Sequence, residues 1–135
     1  MKLINIYDQL NKATEILYKL LQERKDYQNI SHKRLPSYED HQSFIQSYPY
    51  RSWSMIEVKS VIVGAIYLTY NNEIGIHLFE RYHKKGYGKQ AVKIIMEEFR
   101  GPFLANINPL NEGSISMFKS LGFEHIQNTY RLDNE

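Results

Sequence analysis

The residues best suited to chemistry lie in one short run, His83-Lys84-Lys85-Gly86-Tyr87-Gly88-Lys89. Two glycines separated by a single residue let a backbone turn tightly and come within contact of a ligand. When such a turn opens a helix, successive backbone amides and the helix N-terminus converge on one point, where partial positive charge favours phosphate. Lys84, Lys85 and Lys89 add point charges nearby. A pyrophosphate-bearing cofactor fits this arrangement, and a solvated strand-to-helix turn is the plainer alternative. Two familiar phosphate motifs are absent. No G-x-x-x-x-G-K-[ST] loop occurs, and Ala91 and Val92 follow where a dinucleotide fingerprint needs its third glycine.

For the run to work in this way, a strand must end before it and a helix begin after it. The upstream segment EIGIHLF is rich in apolar and β-branched residues and reads as a strand. Downstream, Ala91, Val92, Ile94, Ile95, Met96 and Phe99 mark a helix that Gly101-Pro102 ends. Two further strands, RSWSMIEV and VIVGAIYLTY, precede EIGIHLF, and Asn71-Asn72 supplies the turn residues of an antiparallel meander.

Leu10, Ala13, Ile16, Leu17, Leu20 and Leu21 form one helical stripe ending near Arg24, with Asp8 as the expected N-cap. Residues 2–7 are either a short first strand or the lead into that helix. The polar segment 25–36 reads as a loop. Ser37, followed by Glu39 and Asp40, opens a second helix over about Tyr38–Gln46. After Pro102 come a buried strand PFLANIN, a helix from Asn111 to Leu121 closed by Gly122, and a final strand FEHIQNTYRL. The expected fold is a single α/β domain over residues 1–135 with a mixed sheet.

The composition narrows the function. With no cysteine, the chain has no disulfide, thiolate metal site or cysteine nucleophile, and no metal ligand set is expected. A net charge of +2 is too mild to argue for nucleic acid. No signal peptide and no membrane-length apolar run is visible, so a cytoplasmic protein without membrane attachment is expected.

The glycine run and its context resemble the GNAT (general control N-acetyltransferase) superfamily. His83-x-x-Gly86-x-Gly88 is similar to that superfamily's [QR]-x-x-G-x-[GA] loop, with His83 in place of Gln or Arg. Asn111, Ser114, Phe118, Gly122 and Phe123 match its N-x-x-S-x-x-x-[YF]-x-x-x-G-F signature, and the two motifs stand in the family's order. The resemblance covers residues 50–124 well. It implies a mostly antiparallel mixed sheet splayed between its fourth and fifth strands, here EIGIHLF and PFLANIN, with helices on both faces. It also implies acetyl-CoA as cofactor. The pyrophosphate would sit on the backbone of Lys84 to Lys89, Tyr87 included, and pantetheine would pair like an extra strand near Leu78 and Phe79. Asn111 would contact the cofactor arm, and the loop's His83 and the signature's Ser114 and Phe118 belong to the same site.

The family transfers acetyl directly from thioester to amine. An amine of pKa about 10.4 must lose its proton first, so a base or desolvation has to help. Three candidates stand for the base. Glu73 opens EIGIHLF, near where several relatives carry a catalytic glutamate. His77 shares its strand face by the period of two. His41 lies on the second helix, which borders the acceptor site in this family. Each has a plainer role, as a hairpin-end charge, a strand residue and a surface helix residue respectively.

The usual tyrosine acid is replaced by Phe118, which has no hydroxyl. Tyr38 and Trp53, within the aromatic set preceding the meander, and Asn106 on PFLANIN are the candidates for the acceptor pocket. Ordinary packing is the alternative for the aromatics. The basic pair Lys33-Arg34 would either be solvated or hold an anionic acceptor.

The expected activity is N-acetylation of a primary amine on a small molecule, such as an amino sugar, or on a protein. A catalytically inactive CoA-binding or interaction module is the main alternative. A nucleic-acid-binding domain using the lysine patch is the third and weakest. An edge left open by a short last strand would suit a homodimer.

Overall fold

The computed structural model describes residues 1–28 and 34–133. Lys33 of the basic pair, and the centre of the 25–36 loop with it, lie outside the described residues.

The sheet has four strands in the order β1-β2-β3-β4, every neighbouring pair antiparallel: β1 Lys2–Asn5, β2 Ser52–Val58, β3 Val61–Leu68 and β4 Ile74–Leu78. Residues 2–5 thus take the strand reading, against the outer edge of β2. The β2–β3 hairpin closes through Lys59 and Ser60, both at positive φ (51° and 65°). That is the conformation of a two-residue turn matched to strand twist, and Lys-Ser gives no sign of it in the sequence. The β3–β4 turn follows the asparagine signal, with Asn72 at φ 61°.

Four helices flank the sheet: α1 Leu10–Glu23, α2 Tyr38–Gln46, α3 Tyr87–Glu98 and α4 Glu112–Ser120. Ser37 caps α2, its side chain accepting from the Asp40 amide at 3.1 Å. Gly122, at φ 96°, closes α4; its amide donates to the Lys119 carbonyl and that of Phe123 to the Phe118 carbonyl. These are the two bonds of a glycine-terminated helix end. Asp8 does not cap α1. It lies exposed in a 3-10 turn over Ile6–Gln9, and Asn5 provides the cap there, accepting from the Tyr7 amide at 2.9 Å.

Two apolar cores result, one on each side of the sheet. Ile6, Ala13, Leu17, Leu20 and Ile45 of the α1/α2 side pack on Trp53, Met55 and Ala65. Ala91, Val92, Ile95 and Phe118 of the α3/α4 side pack on Ile56, Val63, Ile66, Leu68 and Ile74. Each fully buried isoleucine contributes about 1.5–3 kcal/mol by leaving water, and that sum holds the helices to the sheet.

The C-terminal third departs most from the sequence expectation. PFLANIN forms no extended strand; its ladder with the sheet is a single parallel bridge, Glu73 to Leu104. The segment FEHIQNTYRL forms no strand among the described residues, and Ile126, Tyr130 and Leu132 are largely exposed. Its β-forming composition meets no partner edge in the single chain. Among the described residues, no helix is long and apolar enough to cross a membrane.

Gly75 is required by packing rather than by φ. A Cβ there would lie 2.0 Å from Cζ of Tyr67, whose ring is stacked at 3.9 Å on Tyr50 and has no room to withdraw. Gly75→Ala is expected to cost about 1–3 kcal/mol, read as a lower urea midpoint. In a Tyr67→Ala background the same change should cost much less.

Candidate active site

The site grows from the edge of β4. Alternation along β4 sets Gly75 and His77 opposite Tyr67 and Ala65 on the α1/α2 side, while Ile74, Ile76 and Leu78 face α3 and α4. The backbone groups alternate too. Glu73 and Phe79 bond across to β3, whereas the Ile74 amide points the other way, to the Leu104 carbonyl at 2.7 Å. Beyond that bridge the chain at 104–108 leaves β4. The Ile76 and Leu78 amides therefore face an open groove, with no backbone partner there among the described residues.

The groove is an open cleft of about 360 Å³ whose walls include Ile74, Ile76, His77, Asn106, Ile107, Asn111, Ser114 and Phe118. A second open cleft of about 310 Å³, lined among others by Leu20, Arg24, Gln28, Leu78 and His83, meets it at His77 and Gln28.

The glycine loop stands at one end of this groove. Gly86, at φ 78°, precedes α3, and no side chain caps the amides of that helix. A Cβ added to Gly86 would meet nothing within 4 Å, whereas one added to Gly88 would lie 3.5–3.8 Å from side-chain atoms of Ile76, Leu78 and Met117. Lys84 and Lys85 are exposed, and Lys89 partly so. Uncapped amides, a helix dipole and three lysines form a cradle for anionic oxygens. His83 Nε2 bonds the Leu78 carbonyl at 3.0 Å and so ties the loop to the end of β4.

The sequence matches the Acetyltransferase (GNAT) family over residues 15–123. The chain belongs to the GNAT family.

Its fold is shared by solved structures of low sequence identity. A domain from Methanocaldococcus jannaschii is 22% identical with a TM-score of 0.77, covering 95% of this chain and 90% of that one. The yncA protein of Salmonella typhimurium, solved with acetyl-CoA, is 17% identical with a TM-score of 0.66 (90% and 77% covered). A phosphinothricin acetyltransferase from Sinorhizobium meliloti, also with acetyl-CoA, is 21% identical with a TM-score of 0.65 (91% and 74%). No curated protein matches the sequence significantly. Acetyl-CoA is the acetyl donor of the GNAT family.

Against the GNAT groove, the candidate residues separate into groups. Glu73 sits at the bridge where the splay begins. Its carboxylate accepts from Asn106 Nδ2 at 2.6 Å and from the Thr69 hydroxyl at 3.2 Å. Asn106 thus enters the site as the link between Glu73 and the groove wall. Asn111 caps α4, accepting from the Ser114 amide at 3.2 Å, and both residues line the groove. Phe118 lies at the groove floor, 4% exposed, edge-on to Phe123 at 5.0 Å between ring centres. Leu78 lines the second cleft, and Phe79 packs on the α1/α2 side.

His77 lies where the two clefts meet. Desolvation, with Arg24 adding to it, holds its pKa down at about 3. The imidazole is therefore neutral across the physiological range, able to give or accept a hydrogen bond but not to keep a proton. His41 and Tyr38 line neither cleft. His41 is 3% exposed, with Nε2 donating to the Thr14 carbonyl at 2.9 Å, and it packs beside Tyr18 and Tyr38. It bridges α1 to α2. Trp53, 8% exposed, stands edge-on to Tyr50 and Tyr67 behind the second-cleft side of β4.

Two residues escaped the sequence reading. Tyr67 lies over Gly75, its hydroxyl oxygen 2.3 Å from where a Cβ would be, between Glu73 and His77 on the same face. Arg24, at the end of α1, reaches the same place. The cue to Tyr67 was a glycine in the middle of an otherwise bulky strand, a mark of close approach. Arg24 gave no cue, because a terminal helix arginine is ordinary.

The His77 result is checked by NMR. Its ring resonances should stay unshifted from about pH 8 to pH 5, where an unperturbed histidine titrates. Between its folded value and the ordinary 6.5, only the unfolded chain takes the proton, so His77 lowers stability as pH falls through that window. His77→Gln should flatten that part of the acid stability curve. A ring titrating near pH 6.5 would remove the assignment.

Proposed function

We infer that this chain moves the acetyl group of acetyl-CoA to a primary amine by direct attack within a ternary complex. The observation that carries the reading is the uncapped α3 N-terminus, opened by Gly86, at the end of the groove where β4 loses its neighbour. The Lys84–Lys89 backbone would hold the pyrophosphate, and the free Ile76 and Leu78 amides would hold the pantetheine arm as a neighbouring strand would.

Acetyl-CoA supplies a thioester whose C–S bond breaks as the nitrogen–carbon bond forms. The side chains of this protein prepare the amine. Ile74, Ile76, Ile107 and Phe118 give the groove an apolar portion beside Asn106, Asn111 and Ser114, and desolvation of an amine against it would disfavour the ammonium form. Glu73 takes the proton that leaves the nitrogen, directly or through one water, and Asn106 and Thr69 fix its carboxylate. Neutral His77 orients the acceptor by hydrogen bonding. Among the described residues lining the groove there is no tyrosine, so the thiolate, of pKa about 8.5 once free, takes its proton from solvent. His41 has no part in this scheme.

The same Phe118 supports the second reading, a GNAT domain that binds CoA without turnover. The exposed Ile126, Tyr130 and Leu132 support a homodimer in which the C-terminal segment finds a strand partner on a second copy. A monomer by gel filtration at micromolar concentration would dispose of that idea.

Calorimetric titration with acetyl-CoA, CoA and ATP is the primary test. CoA species should bind at micromolar Kd and ATP poorly. Gly86→Val should fold, at a cost of about 1–2 kcal/mol for its positive φ, yet bind no CoA. Retained binding would show the loop assignment wrong. Glu73→Gln should keep CoA affinity while kcat drops by about 100-fold or more, and an unchanged kcat across pH would remove Glu73 as the base. Binding without thiol release from any amine would favour the inactive domain.

A further inference from the structure

Arg24 is a half-buried cation that pairs with no carboxylate among the described residues. Its Nε is closed off from solvent and has no hydrogen-bond partner among the described residues. Among the described residues the guanidinium makes one long bond, 3.5 Å from Nη2 to the Gln28 carbonyl. Neighbouring carboxylates are engaged elsewhere. Glu23 accepts from the Glu80 amide, Glu80 pairs with Lys25 at 3.9 Å, and Glu73 is held by Asn106 and Thr69.

Arg24 lines its cleft together with Glu23, Lys25 and Glu80 as well as Gln28 and His77. It stands close enough to His77, Tyr50 and Tyr67 for its charge to act on all three. Burial lowers its own pKa, against the opposing pull of Tyr67 and Tyr50. A donor closed off from water, as the Arg24 Nε is, costs free energy unless a partner arrives. Here the site faces the cleft that meets the catalytic groove at His77. Its planar fork suits a carboxylate or a phosphate.

We propose that Arg24 receives an anionic group of the acceptor, so that the substrate is an amine bearing a carboxylate or a phosphate. That acceptor lies in the cleft lined by Arg24 and His77, and its amine reaches the groove past His77. This rests on the acetyltransferase reading above for its chemistry, but the anion site is a separate claim.

The test titrates matched probes into the CoA-saturated full chain by calorimetry: L-alanine against L-alaninamide, and O-phosphoethanolamine against ethanolamine. The anionic member of at least one pair should bind about 10- to 100-fold more tightly than its neutral partner. Whichever pair shows the difference identifies the anion. Arg24→Gln should erase the preference and leave acetyl-CoA affinity intact, and Arg24→Lys, keeping charge without the fork, should retain part of it. Equal affinities within both pairs overturn the proposal, as does absence of binding by any probe to CoA-loaded protein. So does an Arg24→Gln variant that loses acetyl-CoA affinity but keeps the acceptor preference. Failure of CoA itself to bind would instead sink the acetyltransferase reading, and the same pairs titrated without CoA would still decide the anion site.

Discussion

One interrupted ladder shapes this molecule. At Glu73 and Leu104 the chain makes a single parallel bridge, two backbone bonds wide, and then parts from β4. Had the pairing continued, the Ile76 and Leu78 amides would be satisfied and the edge closed. Because it stops, a strand edge otherwise fit for pairing faces a groove walled by α4 on one side and the end of α1 on the other. Unpaired edges are normally blunted or covered. Here the edge is bordered by functional candidates, with Glu73 at the point of divergence, His77 halfway along and the glycine loop at the far end.

The helix starts show how local sequence choices serve that groove. Ser37 and Asn111 satisfy the first amides of α2 and α4 from their own side chains. At α3 the capping position is glycine, and nothing from the protein takes its place. A glycine in place of a capping side chain forgoes only about a few tenths of a kcal/mol of helix stability. Yet α3 is fastened elsewhere, through Ala91, Val92 and Ile95 in the α3/α4 core, so the helix tolerates open amides. Packing supplies the stability that capping would have given, and the amides stay available to a ligand.

Legibility in the sequence followed the range of the forces involved. The glycine loop, the capped start of α2, the glycine-terminated end of α4 and the two apolar faces are local patterns of three or four residues, and each is where the sequence places it. The final strand was misread because strand formation depends on a partner edge, and the run 123–132 carries β-forming residues without one. PFLANIN was overextended for the same reason. Asp8 lost its capping role because Ile6 is drawn fully into the core, tightening the chain into a 3-10 turn before α1 begins. Arg24 and Tyr67 meet through tertiary packing alone; positions 43 residues apart share no periodicity that could announce the pairing.

The charges along the groove bear on how weak a base can suffice. Positive charge stands at the loop end of the groove, from the loop amides and lysines, and in the adjoining cleft, from Arg24. The groove itself is lined by Ile74, Ile76, Ile107 and Phe118 beside Asn106, Asn111 and Ser114, with a neutral His77 at the junction. An ammonium ion entering this stretch loses its hydration and approaches a cation, and both effects favour the free amine. Any carboxylate is a poor base toward an amine of pKa about 10.4 in water. Toward an amine already pushed downward by the groove, its task is smaller: to collect a proton the surroundings are expelling. The acceptor's own anion, seated on Arg24, would then offset that cation's repulsion for the right substrate and leave it in force for simple amines. Selectivity and activation on this reading come from one half-buried guanidinium whose compensating charge arrives only with the substrate.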